Sequence, residues 1–209
     1  MSEPFGPAEL AARLDVSRET IARLEAYAAL LTKWQKTLNL VSDRSMTHLW
    51  CRHMLDSAQL SQYLPKPTGR LLDLGSGGGF PGLVLAVMGV SGVHLVEADQ
   101  RKCVFLREVA RSLELSVTVH DCRIEELDLA APDVITARAL APLPKLLDMA
   151  YRFIEPSTCC MFLKGAQLHG ELKAAEARWR FKSRRLASLS DPRGSILMLS
   201  EVVRHGPHS

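Results

Sequence analysis

The sequence lacks any apolar run of the roughly 18 to 20 residues that a membrane-spanning helix requires. Its most continuous apolar stretch, Leu83 to Val90, is short and broken by Gly89. Residues Met1 to Leu14 carry acids among apolar side chains and do not follow the basic-then-apolar order of a secretory signal, so a cytoplasmic protein is expected. Cysteine is sparse and poorly spaced: Cys51, Cys103, Cys122, Cys159 and Cys160 form no C-x-x-C pair and leave an odd thiol. That pattern argues against a zinc knuckle and against a disulfide framework, and no metal site is expected. Repeats and low-complexity segments are missing too.

What is present suffices for one compact unit. With 209 residues and 47% hydrophobic content, the chain can bury a substantial core in one domain with a small extension. The net charge of +3 says little, but its distribution is uneven: residues 1–69 hold 8 basic and 7 acidic side chains, 70–159 hold 9 and 12, and 160–209 hold 9 and 4. A basic end beside an acidic middle suits a protein that holds a small ligand centrally and meets a polyanion at one edge; a plainly solvated surface gives the same numbers.

Ser17, between Val16 and Ile21, reads as a helix cap with a hydrophobic staple, and Ile21, Leu24, Ala28, Leu31 and Leu38 follow at helical spacing. A second helix is expected over about Thr47 to Tyr63, ended by Pro65 and Pro67. Residues 1–69 thus form a helical extension, with Lys66 to Gly69 as the linker into a main domain over 70–209. From Arg70 onward short apolar runs alternate with helical stretches, the pattern of a parallel sheet covered on both faces. Strands are expected at Leu71 to Leu74, Val93 to Glu97, Ser116 to His120, Val134 to Thr136 and Cys159 to Leu163. Helices near Pro81 to Met88, Lys102 to Leu113, Leu143 to Phe153 and Leu168 to Trp179 fill the gaps. Two further extended runs, Phe181 to Leu189 and Ile196 to Arg204, flank the turn sequence Asp191-Pro192-Arg193-Gly194 and imply an antiparallel hairpin closing the sheet.

The central motif is Asp73-Leu74-Gly75-Ser76-Gly77-Gly78-Gly79-Phe80-Pro81-Gly82, directly after a hydrophobic strand and before a helix. Glycines there let backbone approach a ligand while the helix N-terminus turns free amides toward it, which marks a nucleotide-like site. Gly77, Gly79 and Gly82 formally spell G-x-G-x-x-G, but in a dinucleotide fold the first glycine follows the strand at once. Here that residue is Gly75, and Phe80 falls where the third glycine belongs. A carboxylate at Asp73 also suits the cationic S-adenosylmethionine better than a pyrophosphate. The next strand ends in Glu97, 24 residues after Asp73, where an acid accepts hydrogen bonds from ribose hydroxyls. Asp121 to Glu125 follows the third strand and frames an adenine in class I methyltransferase folds.

Absent motifs narrow the substrate. There is no Asp/Asn-Pro-Pro-aromatic tetrapeptide of exocyclic amino methylases and no Pro-Cys nucleophile of cytosine-5 enzymes; Cys122 is the lone cysteine near the expected cofactor. Arg123, Arg138 and Lys164 follow strands at the carboxyl edge, where open α/β sheets place ligands, and are candidate RNA contacts. Arg178, Arg180, Lys182 and Arg184 alternate along an extended run and form a candidate phosphate-binding stripe, or merely a charged edge. His53 and Asp56, three apart on a helix, read as a buried pair tying the extension to the core.

Trp34, Asn39-Leu40, His53-x-x-Asp56-Ser57, Gly79-Phe80-Pro81-Gly82, Arg138-Ala139-Leu140-Ala141-Pro142-Leu143 and Lys164-Gly165 appear in the order of one family's blocks. In these residues the chain resembles the RsmG family, also called glucose-inhibited division protein B, over nearly its whole length; Ala137 departs from the serine more usual there. The resemblance implies an α/β, Rossmann-like class I S-adenosylmethionine-dependent methyltransferase: a mostly parallel seven-stranded sheet with a C-terminal antiparallel hairpin and an N-terminal helical extension. It implies methyl transfer to nitrogen 7 of a guanine in the 530 loop of 16S ribosomal RNA, presented bare or in the small-subunit particle, by a monomer. Cofactor contacts are carried over to Gly75, Phe80, Ile124, Glu125 and Arg138, beside Asp73, Gly77 and Glu97 from the loop argument. Guanine nitrogen 7 already carries an in-plane lone pair, so no general base is expected. A class I enzyme for a small molecule or a protein, and a cofactor-binding regulator without turnover, are the alternatives.

Overall fold

The computed structural model describes residues 5–205; residues 1–4 and 206–209, which include part of the Met1 to Leu14 stretch and the ends of both expected segments, lie outside the described residues. Seven strands form one sheet: β1 (Leu71–Leu74), β2 (Val93–Glu97), β3 (Val117–Asp121), β4 (Val134–Arg138), β5 (Cys159–Lys164), β6 (Trp179–Ala187) and β7 (Ser195–Arg204). Their order is β3-β2-β1-β4-β5-β7-β6. The first five run parallel, and β7 lies antiparallel to both β5 and β6. This is the expected Rossmann-like sheet with its closing hairpin. The order reverses at β1, between β2 and β4, and such a switch point opens a crevice at the carboxyl ends of the strands.

Helices α5 (Gly82–Val87), α6 (Gln100–Ser112), α7 (Leu143–Ala150) and α8 (Leu168–Glu176) link the strands. Alternation along each strand divides the apolar residues between two faces. Leu72, Leu74, Ile135 and Phe162 pack under α7 and α8, whereas Leu71, Leu95 and Met161 face α5 and α6. Leu10, Leu24, Leu31 and Leu60 belong to that second cluster, so the helical segment and the sheet share one continuous apolar core. Among the described residues no helix is long and apolar enough to cross a membrane.

The N-terminal region differs most from expectation. Ser17 does cap α2 (Arg18–Gln35), accepting from the Thr20 amide at 3.1 Å. A preceding helix, α1 (Pro7–Leu14), has Pro7 in its first turn and Glu9 accepting from the Gly6 amide at 2.8 Å. The helix expected over about 47–63 is present as a continuous helical stretch up to Tyr63, but its winding changes along the way: a π-helical turn at Trp50–Leu55, the short α4 (Asp56–Ala58) and a 3₁₀ turn at Gln59–Tyr63, with a separate helix α3 (Asp43–Met46) before it. His53, Met54, Leu55, Ser57, Ala58, Gln59 and Leu60 are all buried, so this stretch has no single apolar stripe. The helix expected to reach Trp179 stops at Glu176, because Trp179 opens β6 and buries its ring against Tyr151, centroids 4.9 Å apart.

Candidate cofactor and substrate cleft

The loop after β1 turns through three glycines with φ of 65° at Gly75, 54° at Gly77 and 90° at Gly79. That is left-handed backbone, which side chains resist. A Cβ on Gly75 would lie 2.6 Å from Leu140 Cδ1, so this glycine also permits a close approach. The loop is pinned from three sides. The Ser76 amide donates to Val96 O at 3.0 Å, the Gly77 amide to Glu97 Oε2 at 2.8 Å and the Gly82 amide to Asp73 Oδ2 at 3.3 Å. From α2, the Tyr27 hydroxyl donates to Gly78 O while its ring stacks on Phe80 at 5.5 Å. Burial raises the Tyr27 phenol far above its ordinary range, keeping the proton it donates.

Asp73 lies beneath this loop. It is fully buried, accepts from Thr136 Oγ1 at 2.8 Å, and burial lifts its carboxyl to about 6. It shapes the loop and does not reach the cleft wall.

Arg138, at the end of β4, is the meeting point of distant segments. Its Nη1 donates to Arg52 O at 2.9 Å and lies 3.7 Å from Asp56 Oδ2. Its Nη2 donates to His53 Nδ1 at 2.6 Å, and its Cζ sits 4.8 Å from the Phe80 ring centre. The anticipated contact between His53 and Asp56 is therefore replaced: both hold Arg138, and through it the extension is tied to β4. Asp56 also accepts from Ser190 Oγ at 2.5 Å, and Gln59 Oε1 accepts from the Leu189 amide at 2.8 Å. The β6–β7 turn is thereby fastened over the same region.

Between the glycine loop, Arg138 and that turn lies a cleft of about 730 Å³, walled by Gly75, Gly77, Phe80, Arg52, Arg138 and Lys164 among others. Lys164 is already committed, to Glu171 at 2.5 Å and to Ala141 O at 3.0 Å. Glu97 accepts from the Gly77 and Asp99 amides, at 2.8 and 2.9 Å, and bridges the β1 and β2 loops behind the wall. Ile124 is buried and Glu125 exposed in a 3₁₀ turn after β3; neither they nor the exposed Arg123 line the cleft. Burial raises the Cys122 thiol, which disfavours a nucleophilic thiolate.

Arg180 and Lys182 sit elsewhere. Ala187 of β6 pairs with Ser195 on the cleft wall, and Lys182 is five residues earlier, roughly 16 Å along an extended strand. Lys182 also pairs with Glu201 at 2.6 Å. Their alternation was visible in the sequence; the direction in which the strand carried them was not. Tyr27, Thr136, Arg52 and Ser190 were missed. Tyr27 had a usable signal, its position beside Leu24, Ala28 and Leu31 on the buried face of α2.

His53 and Asp73 make the fold respond oppositely to acid. Burial and Arg138 depress His53 to about 3, so its neutral form stabilises the fold at neutral pH and this contribution is lost as pH falls from 6.5 toward 3. Asp73, raised to about 6, contributes stability at low pH that is lost as pH rises through 6. Between pH 7 and 5, the thermal midpoint of His53→Gln should therefore fall less than that of wild type, and that of Asp73→Asn should fall more. Parallel curves for all three proteins would refute both assignments.

A reversed strand order, a backbone-lined glycine turn at its switch point and an acid closing β2 define a class I S-adenosylmethionine-dependent methyltransferase. Solved structures share the fold. MtNAS in complex with S-adenosylmethionine aligns at a TM-score of 0.57 and 16% identity, covering 95% of this chain and 85% of that one. A putative O-methyltransferase from Klebsiella pneumoniae aligns at 0.60 and 17%, covering 93% and 95%. The chain belongs to the GidB family, rRNA small subunit methyltransferase G, whose family model matches residues 20–195. A Paramagnetospirillum magneticum protein called ribosomal RNA small subunit methyltransferase G is 53% identical over 200 residues, covering 96% of this chain and 98% of that protein. A Rhodospirillum rubrum protein of the same name is 50% identical over 198 residues, covering 95% and 98%.

Proposed function

We propose that this chain transfers a methyl group from S-adenosylmethionine to nitrogen 7 of a guanine in the 530 loop of 16S ribosomal RNA, acting in the cytoplasm as a monomer. The observation that carries the reading is the cleft itself, in a chain of this family: bare glycine backbone forms one wall and the Phe80–Arg138 stack forms the floor.

The cleft fits the methyl donor. A Cβ on Gly77 would meet nothing nearer than 3.9 Å, so the turn leaves open backbone surface, and the volume lies in the range of small-ligand sites. In this reading Gly75, Gly77, Phe80 and Arg138, which line the cleft, hold it, Glu97, Ile124 and Glu125 approach it from the β2 and β3 side outside the cleft wall, and Asp73 acts through the loop. When bound, S-adenosylmethionine supplies an electrophilic methyl on a sulfonium.

The protein's own task is alignment. Nitrogen 7 attacks with its lone pair and loses no proton, and the wall residues agree with that economy. His53 is held neutral as an acceptor for Arg138, Asp56 answers Arg138 and Ser190, and Glu171 answers Lys164. Each carries out a positioning duty, His53 through Nδ1 alone, its buried Nε2 having no partner among the described residues. Holding reacting atoms in line is worth on the order of 7 to 11 kcal/mol in favourable cases. Arg138 suits guanine oxygen 6 or a phosphate; a fork on nitrogen 7 would block the attack.

The test is transfer of labelled methyl to 16S RNA and to small subunits purified from a strain lacking the protein, mapped by cleavage at methylated guanine. Label at a single 530-loop guanine is expected. Cofactor binding without label in RNA would redirect the assignment to a small-molecule or protein substrate.

A further inference from the structure

The cleft opens between two lips. One is the segment 40–52, which contributes Leu40, Val41, Ser42, Ser45 and Arg52 to the wall; the other is the β6–β7 turn, which contributes Ser190, Asp191 and Gly194. Their separation is fixed by Asp56 and Gln59, which hold the turn against the helical segment.

Each lip carries exposed cations. The carbonyl of Arg52 is occupied by Arg138, which anchors its backbone beside the floor, but its exposed guanidinium makes no hydrogen bond or ion pair among the described residues. Arg44, in the last turn of α3, is likewise exposed and unpaired there. On the facing lip, Arg193 is 76% exposed and has only a 3.7 Å contact with Asp191, the kind of surface pair worth little. The lip carboxylates are turned to local bonds, Asp43 accepting from Gln35 Nε2 at 3.3 Å and Asp191 from the Arg193 amide at 2.9 Å.

We infer that the ribose-phosphate backbone of a single-stranded RNA loop is held across this mouth by Arg52 and Arg44 on one side and Arg193 on the other, and not by the cationic stripe of β6. A base reaches Phe80, which is only 3% exposed, solely by leaving its stack, so the phosphates flanking it must sit at the rim. At the rim stand Arg52 and Arg44, exposed and unpaired among the described residues, and Arg193 with its weak surface contact. Just before β6, Arg178 pairs with Asp148 at 3.3 Å. On β6 itself, Lys182 has an exposed pair with Glu201, while Arg180 and Arg184 are exposed and unpaired among the described residues; what sets them apart is distance, because they stand seven and three residues back along the strand from Ala187, the residue that pairs with Ser195 on the cleft wall.

The inference rests on the ribosomal RNA reading but is measured apart from it, by equilibrium binding of a labelled RNA fragment spanning the 530 loop across a salt series. For Arg52→Gln, Arg44→Gln and Arg193→Gln, the slope of log affinity against log salt should shrink by about 0.7 to 0.9 for each phosphate no longer neutralised, and affinity should fall several-fold. S-adenosylmethionine affinity should stay unchanged in Arg44→Gln and Arg193→Gln, whose side chains do not line the cleft. Arg180→Gln and Lys182→Gln should leave the RNA slope at its wild-type value. The inference is overturned if the β6 variants carry the loss or the lip variants bind as wild type does. Lip-dependent binding without methyl transfer would uphold the mouth and overturn the enzymatic reading; methyl transfer with lip-independent binding would do the reverse.

Discussion

Arg138→Met is expected to lower kcat/KM for methyl transfer by at least about a hundredfold and to destabilise the fold by on the order of 3 kcal/mol, the scale for removing one partner of a buried pair. The cause is that one guanidinium serves four neighbours: the Arg52 carbonyl, His53 Nδ1, Asp56 and the face of Phe80. Without it, His53 loses its donor and Asp56 keeps only its serine and glutamine donors in a buried place whose desolvation already raises its pKa. Arg138→Lys separates the two effects. A lysine restores the charge but lacks the planar fork, so it should recover much of the stability and little of the rate. Thermal midpoints and single-turnover rates, taken well below the melting range, provide the comparison. Wild-type turnover in the methionine variant would remove Arg138 from the site.

Gly79→Ala should be nearly as damaging, through the loop alone. Its φ of 90° lies outside what alanine adopts comfortably, and the new Cβ would stand 2.5 Å from both the Tyr27 hydroxyl and Leu83 Cδ1. Backbone strain and overpacking each cost about 1 to 3 kcal/mol. The expected result is a lower melting temperature and at least tenfold weaker S-adenosylmethionine binding, because Tyr27 must leave Gly78 and its stack on Phe80. Adding Tyr27→Phe removes the hydroxyl from the clash and should recover part of the loss. Gly170→Ala, with nothing within 4 Å of the added methyl, is the control and should cost nothing. Equal behaviour of Gly79→Ala and Gly170→Ala would show that the loop tolerates the bulk.

The sheet was legible because its strands are short apolar runs between turn signals, and Leu71 to Leu74 and Val93 to Glu97 were bounded to the residue. The glycine loop was legible as well, since left-handed backbone demands a particular residue type. Two kinds of information were not. The helical path up to Tyr63 was legible from its boundary prolines, but a helix buried on most sides carries no stripe whose period would report its change from π to α to 3₁₀ winding. Contacts between residues far apart in the chain leave no periodic trace: His53 and Arg138 are 85 positions apart, and Tyr27 and Gly78 are 51 apart. Spacing alone suggested that His53 and Asp56 face each other, and only the fold supplies the guanidinium between them.

Asp56 gives the cleft a mechanical linkage. One of its oxygens takes the Ser190 hydroxyl from the entrance turn and the other faces the Arg138 guanidinium on the floor. Any displacement of the turn by an entering or departing polymer therefore pulls on the same carboxylate that fixes the arginine, so the doorway and the reaction floor are geared together through a single side chain.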